Sequence, residues 1–145
     1  MDIRTIHKDE LEGLLKLYEQ LHENPFPEIG EDLLKLWDGI TSDNNHYIIV
    51  AVDGGRIVSS CVMILVPNLT HGQRPYAFVE NVITDEEYRN RGLASACLNY
   101  AKEIAVQNNC YKMMLMTGSK EEHTLNFYRK AGYNSEDKAA FIQWL

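Results

Sequence analysis

Glu80-Asn81-Val82-Ile83-Thr84-Asp85-Glu86-Glu87-Tyr88-Arg89-Asn90-Arg91-Gly92-Leu93-Ala94-Ser95 reads as a strand, a charged turn and the opening of a helix. Phe78 and Val79 lead into Val82 and Ile83 as the strand. After Gly92 the apolar residues Leu93, Cys97, Tyr100, Ala101, Ile104 and Ala105 recur at helical spacing. The first N–H groups of a helix have no partner within it. The positive end of the helix dipole lies at the same place, so a strand feeding a glycine-led helix forms an anion seat. Arg89 and Arg91 flank the seat and bring full positive charge to where a diphosphate would lie. Gly92 and the small Ala94 leave the backbone approachable.

Working outward, Ile3 and Ile6 mark a short first strand. Leu11, Leu14, Leu15, Tyr18 and Leu21 repeat at three and four, the pattern of an amphipathic helix. The segment His22-Glu23-Asn24-Pro25-Phe26-Pro27 ends it, because closely spaced prolines cannot continue a helix. A second helix follows through Leu33, Leu34, Leu36 and Trp37. Residues 47–52 and 57–66 are rich in β-branched side chains, and Asp53-Gly54-Gly55 between them signals a tight hairpin. Residues 67–75 read as a mobile loop. Beyond the helix that Gly92 opens, 111–116 reads as a buried strand and Thr117-Gly118-Ser119 breaks it. Ser119 with Glu122 has the form of a capping box for a further helix, and Gly132 stands where a left-handed cap is wanted. Residues 139–145, Ala-Ala-Phe-Ile-Gln-Trp-Leu, read as a last strand. This order gives an α/β domain spanning residues 1–145, with helices on the faces of a mixed sheet.

Composition narrows the partners. With 45% hydrophobic and 24% charged residues the chain is that of a soluble globular domain. Fourteen basic against twenty-one acidic side chains, net charge −7, argue against nucleic acid or an anionic membrane surface as partner. An amine, being cationic, suits the acidic remainder. Cys61, Cys97 and Cys110 are scattered and odd in number, which points to small core residues of a reducing compartment rather than a metal site or nucleophile. No stretch reaches the length of a membrane span, and a cytoplasmic protein is expected.

Arg89-x-x-Gly92-x-Ala94 lacks the Gly-Lys-Ser/Thr ending of a P-loop and the three glycines of a dinucleotide fold. It resembles the phosphate-binding signature Gln/Arg-x-x-Gly-x-Gly/Ala of the GNAT superfamily of acyl-CoA-dependent N-acetyltransferases. Some thirty residues on, Thr124-Leu125-Asn126-Phe127-Tyr128-Arg129-Lys130-Ala131-Gly132-Tyr133 resembles that superfamily's second signature, an apolar–Tyr pair followed by a basic residue and Gly-aromatic. The likeness covers the chain from Ile57 onward.

This resemblance implies a GNAT-like fold: a mostly antiparallel mixed sheet of six to seven strands, one pair splayed to receive coenzyme A, and about four helices. It implies acetyl transfer from acetyl-CoA to a primary amine by direct attack, with no metal and no covalent enzyme intermediate. Tyr128 would be the general acid that protonates the leaving thiolate, and Glu80 a possible general base, water being the alternative. Val82 and Ile83 would bond the pantetheine arm through their backbone, with the Val82 N–H polarising the acetyl oxygen. Asn126 would hold the arm from the other side. Backbone N–H groups of Arg89, Asn90, Arg91, Gly92, Leu93, Ala94 and Ser95 would hold the diphosphate. Asn81 stands where sugar-phosphate acetyltransferases of the family show an acid, which argues against that acceptor class. The prolines of 22–27 fall where the family shapes its acceptor pocket. His46 and His123 receive no role. A homodimer through Phe141 and Trp144 is expected. The competing reading is a CoA-binding or regulatory module of the same fold that does not turn over.

Overall fold

The computed structural model describes residues 1–22 and 24–145. Its elements run β1 (Asp2–Thr5), α1 (Leu11–Tyr18), α2 (Glu31–Ser42), β2 (His46–Asp53), β3 (Arg56–Val66), β4 (Tyr76–Thr84), α3 (Leu93–Gln107), β5 (Met113–Leu115) and α4 (Glu122–Lys130). The five strands form one sheet in sequential order, β1-β2-β3-β4-β5. The first four pair antiparallel; β4 and β5 are parallel, as the crossover through α3 requires.

The sheet is covered on both faces. α3 and α4 pack over Ile49, Ala51, Cys61, Met63 and Val79, with Cys97 and Ala101 reaching down from α3. α1 and α2 pack over Ile48, Val50, Val62 and Ile83 through Leu14, Leu17 and Trp37. A strand buried on both sides has no polar alternation, which is why β2 and β3 read as continuous apolar runs. The Trp37 indole N–H donates to the Lys8 carbonyl at 2.8 Å and ties α2 to the start of α1. Arg4 grips Glu10 with two bonds of 2.8 and 2.7 Å, joining β1 to the turn that leads into α1.

The hairpin at Asp53-Gly54-Gly55 is as the sequence implies. Gly54 and Gly55 have φ of 53° and 83°, the paired left-handed conformation that matches strand twist. Several expectations are corrected. The sheet has five strands, not six to seven. α1 stops at Tyr18 and winds down through turns at Gln20 and Leu21, rather than running to Leu21 as a helix. The Glu23 of the predicted breaker segment lies outside the described residues. The loop of 67–75 is pinned: His71 stacks on Tyr111 at 4.0 Å, and Arg74 donates to the Asn109 and Cys110 carbonyls. The Ser119–Glu122 capping box does not form, because α4 starts later; Ser119 Oγ instead accepts the Glu121 N–H at 3.3 Å. Residues 139–145 are not a strand. They pair with nothing described, and their large apolar side chains face water.

Candidate active site

β4 ends in the charged turn, and Asp85 organises it. Its buried carboxylate accepts the Glu87 N–H at 3.0 Å, the Arg56 guanidinium at 2.6 Å and the Gln20 amide at 3.2 Å. Gln20 also accepts the Glu86 N–H at 2.9 Å, so the end of α1 is stitched to the turn at two points. The chain then passes Asn90 (φ 61°) and Gly92 (φ 75°), two left-handed residues that swing the backbone round into α3. No side chain caps this helix.

Among the described residues, none of the N–H groups from Arg89 to Ser95 has an acceptor; the first bond of α3 is Ala96 N–H to the Gly92 carbonyl at 3.0 Å. A Cβ built on Gly92 would meet nothing within 4 Å, so that side of the residue is open. Unsatisfied amides, an uncapped helix start and open space suit an anionic group. Both flanking arginines are exposed. Arg89 reaches back toward the Thr84 carbonyl at 3.4 Å, and Arg91 lies over the Tyr88 ring at 4.8 Å while donating to the Glu87 carbonyl.

Next to this seat the sheet opens. β4 pairs with β5 only from Ala77 to Val79, opposite Met113 to Leu115, although β4 continues to Thr84. Beyond Val79 its β5-facing backbone has no strand partner among the described residues. On its other edge the register with β3 slips: Val62 lies opposite Glu80 and Ser60 opposite Ile83. One extra residue in β4 makes a bulge, and Asn81 takes it up with φ 52°. The slip re-aims Val82 toward the α3 side and Ile83 toward the α1 side. Glu80 stands exposed just before the bulge.

α4 brings Tyr128 to the same region. Its ring meets Phe127 edge-on at 5.0 Å and Tyr133 at 6.4 Å. Burial raises its phenol above the ordinary value, and the nearby Cys61 and Glu80 add to the shift. Tyr133 is pushed up to about 12 by the same burial, with Cys61 and Tyr128 contributing. Both phenols therefore keep their protons at neutral pH. Asn126 is exposed on α4, its side-chain oxygen accepting from Arg129 at 3.0 Å. Seat, opened strand and Tyr128 thus lie along one stretch of β4, with Asn126 solvent-accessible on α4 two residues before Tyr128.

Two residues escaped the sequence reading. The Tyr18 hydroxyl and Ser60 Oγ are both buried without a hydrogen-bond partner. They lie beneath the bulge with Asn81 beside them, though no pair reaches normal bonding geometry, and burial pushes Tyr18 up to about 12. Tyr18 carried only the signal of a core-facing helix position, so nothing local marked it.

Free amides at an uncapped helix start, an edge of β4 without a strand partner and a protonated phenol near Glu80 are thus neighbours in the fold. Residues 11–133 match the model of the acetyltransferase (GNAT) family; the chain belongs to that family and is by class an acyltransferase. It is 29% identical over 143 residues to a glucosamine 6-phosphate N-acetyltransferase of Trypanosoma brucei brucei, covering 95% of this chain and 92% of the relative. A provisionally assigned acetyltransferase structure from Agrobacterium tumefaciens shares 32% identity and a TM-score of 0.90, covering 99% of this chain and all of that one. The glucosamine-6-phosphate N-acetyltransferase of Arabidopsis thaliana superposes with a TM-score of 0.84 at 19% identity, over 99% of this chain and 97% of that one.

Proposed function

We propose that the chain transfers an acetyl group from acetyl-CoA to a primary amine by direct attack in a ternary complex. The observation that carries this is the run of free amides from Arg89 to Ser95, opening onto the unpaired edge of β4. Those amides, with the two arginines, hold the diphosphate of the coenzyme, and the backbone of Val82 and Ile83 takes its pantetheine arm as a further strand would. Asn126 supports the arm from α4. The coenzyme supplies the activated thioester.

The amine nitrogen attacks the thioester carbonyl carbon. The Val82 N–H receives the charge growing on the oxygen. As the C–S bond breaks, Tyr128 gives its proton to the sulfur and is recharged from solvent. The proton lost by the amine leaves through Glu80 or water. No cysteine serves as nucleophile, since Cys61 and Cys97 are buried and burial pushes both thiols up, Cys97 to about 11.

The trypanosomal relative makes glucosamine 6-phosphate the first acceptor to try. Asn81, which occupies the position of an acid in sugar-phosphate enzymes of the family, makes other primary amines the necessary comparison. The reading places the enzyme in the cytoplasm as a homodimer, acting without metal, nucleic acid or membrane. Among the described residues no helix is long and apolar enough to cross a membrane.

The test is thiol release from acetyl-CoA across a panel of amines, alongside calorimetric titration of CoA. Amine-dependent release supports the reading. Tight CoA binding with no release for any amine would replace it with the CoA-binding regulatory module.

A further inference from the structure

Buried polar side chains are almost always hydrogen-bonded. Among the described residues, Tyr18 Oη and Ser60 Oγ are the only buried side-chain oxygens or nitrogens without a partner. They are not scattered. Ser60 is fully buried on β3, opposite Ile83 of β4, and faces the α1 side of the sheet with its β2 partner Val50. Tyr18 closes α1 and packs against that same layer. Ser60 and Asn81 both border the Tyr18 hydroxyl. The end of α1 is held in this place by Gln20, whose amide donates to Asp85 at 3.2 Å and whose oxygen accepts the Glu86 N–H at 2.9 Å.

Asn81 is where the two orphaned hydroxyls meet the chemistry. The Val82 N–H belongs to the planar peptide that joins Asn81 to Val82. Its direction is therefore set by the backbone of Asn81, which is left-handed at φ 52°. A side-chain-bearing residue persists in that conformation only where its surroundings fix it. The surroundings here are two hydroxyls that lack partners. Asn81 itself is exposed and carries a carboxamide, which both donates and accepts.

We propose that Tyr18 and Ser60 are positioning residues for the acyl group, acting through Asn81. When a thioester oxygen accepts the Val82 N–H, the Asn81 carboxamide donates to Tyr18 Oη and the Tyr18 hydroxyl donates to Ser60 Oγ. Both orphans then have a partner, and the peptide that carries the Val82 N–H is locked in its aim. The gain arises only when an acyl oxygen is present, so it favours acylated over free coenzyme. This rests on the acetyl-CoA reading above and adds to it the residues that tell acetyl-CoA from CoA.

The experiment is calorimetric titration of acetyl-CoA and of CoA, with no amine present. The wild type should bind acetyl-CoA about tenfold more tightly than CoA, the net worth of one or two hydrogen bonds. Tyr18→Phe should cut that preference to about twofold or less, with CoA affinity and the far-ultraviolet spectrum unchanged. Asn81→Ala should do the same. The double variant Tyr18→Phe/Asn81→Ala should lose no more than either single one, since the residues act as one chain. A merely structural role for Tyr18 would weaken both ligands alike and leave their ratio intact. Equal affinity of the wild type for both ligands would overturn the proposal while leaving coenzyme binding in place. So would a Tyr18→Phe variant that keeps the preference, or losses that add in the double variant. Binding of neither ligand would remove the coenzyme reading itself, and this proposal with it.

Discussion

The backbone N–H of Tyr133 donates to the Tyr128 carbonyl at 3.1 Å, and the two rings meet nearly perpendicular at 6.4 Å between centroids. Gly132 between them donates to the Arg129 carbonyl at 3.0 Å, so the two bonds form the Schellman closure of α4. The proposed acid is thereby aimed by the cap of its own helix. Gly132 makes the cap possible with φ 100°, a conformation that costs a side-chain-bearing residue about 1–2 kcal/mol.

Gly132→Ala should therefore lower the melting midpoint by roughly 3–8 °C. The added methyl would meet nothing within 4 Å, so the loss is conformational and not a clash. Turnover should fall with it as Tyr128 loses its fixed aim, while CoA affinity holds. An unchanged midpoint in a thermal melt would show that the cap relaxes without cost.

Tyr128→Phe should lower kcat about a hundredfold, within the usual contribution of a positioned acid, and leave the CoA dissociation constant unchanged. Because burial, Cys61 and Glu80 all raise the phenol, the protonated form persists above the ordinary tyrosine value of about 10. In the wild type kcat should hold up to that pH and fall only beyond it. The fall should vanish in Tyr128→Phe. An alkaline limb below the ordinary tyrosine value, or one shared by the variant, would take Tyr128 out of the acid role.

Local signals were readable where the chain must adopt one conformation. Gly54-Gly55, Gly92 and Gly132 each stand at a left-handed position that other residues resist, and each was legible as punctuation. The bulge was not. Asn81 is displaced because β3 and β4 pair out of step, and register is settled by the neighbouring strand. Tyr18 and Ser60 meet only because α1 folds over β3, a contact that no spacing encodes. Residues 139–145 have every local mark of a strand, but pairing is decided by where the chain beyond α4 runs, and they pair with no described strand. The capping box failed for a similar reason: Ser119 had the right chemistry, yet the turn closed on Glu121 one residue too early.

Gly92→Asp should weaken CoA binding on the order of a hundredfold or more, since it puts a carboxylate against a diphosphate within a few ångströms and strains the left-handed turn that presents the amides. Gly92→Ala separates charge from conformation. At φ 75° alanine carries about 1–2 kcal/mol of strain, worth roughly a tenfold loss if the loop shifts to relieve it. Calorimetry should rank wild type, alanine and aspartate in that order. Full affinity in the aspartate variant would move the diphosphate away from this turn.

Tyr18→Phe removes a buried hydroxyl that has no partner. An orphaned polar group is a burden of about 1–3 kcal/mol, so the variant should match or exceed the wild type in urea unfolding. A loss of more than about 1 kcal/mol would mean that the Tyr18 and Ser60 hydroxyls are bridged by a bound water.

Asp85 sets the acid limit of the turn. Burial alone would raise its carboxyl, but the Glu87 N–H, the Arg56 guanidinium and the Gln20 amide outweigh it and hold the group below its ordinary value. The folded state thus binds this proton more weakly than the unfolded chain does. Its contribution to stability is complete above the unfolded aspartate value of about 3.9 and drains away as pH falls through the depressed folded value. Asp85→Asn keeps the shape but loses the charge-assisted bonds, and should cost about 1–3 kcal/mol at neutral pH. Across urea titrations from neutral to strongly acid pH, wild type and variant should converge as the wild-type carboxylate protonates. Because Gln20 ties α1 to Asp85 and Glu86, the same variant should loosen the turn that presents Arg89 to Ser95 and so weaken CoA binding at neutral pH. Parallel stability curves that never converge would assign the acid sensitivity to another pair, of which Arg4 and Glu10, whose carboxyl is lowered to about 2 chiefly by its bonds to Arg4, is the first to examine.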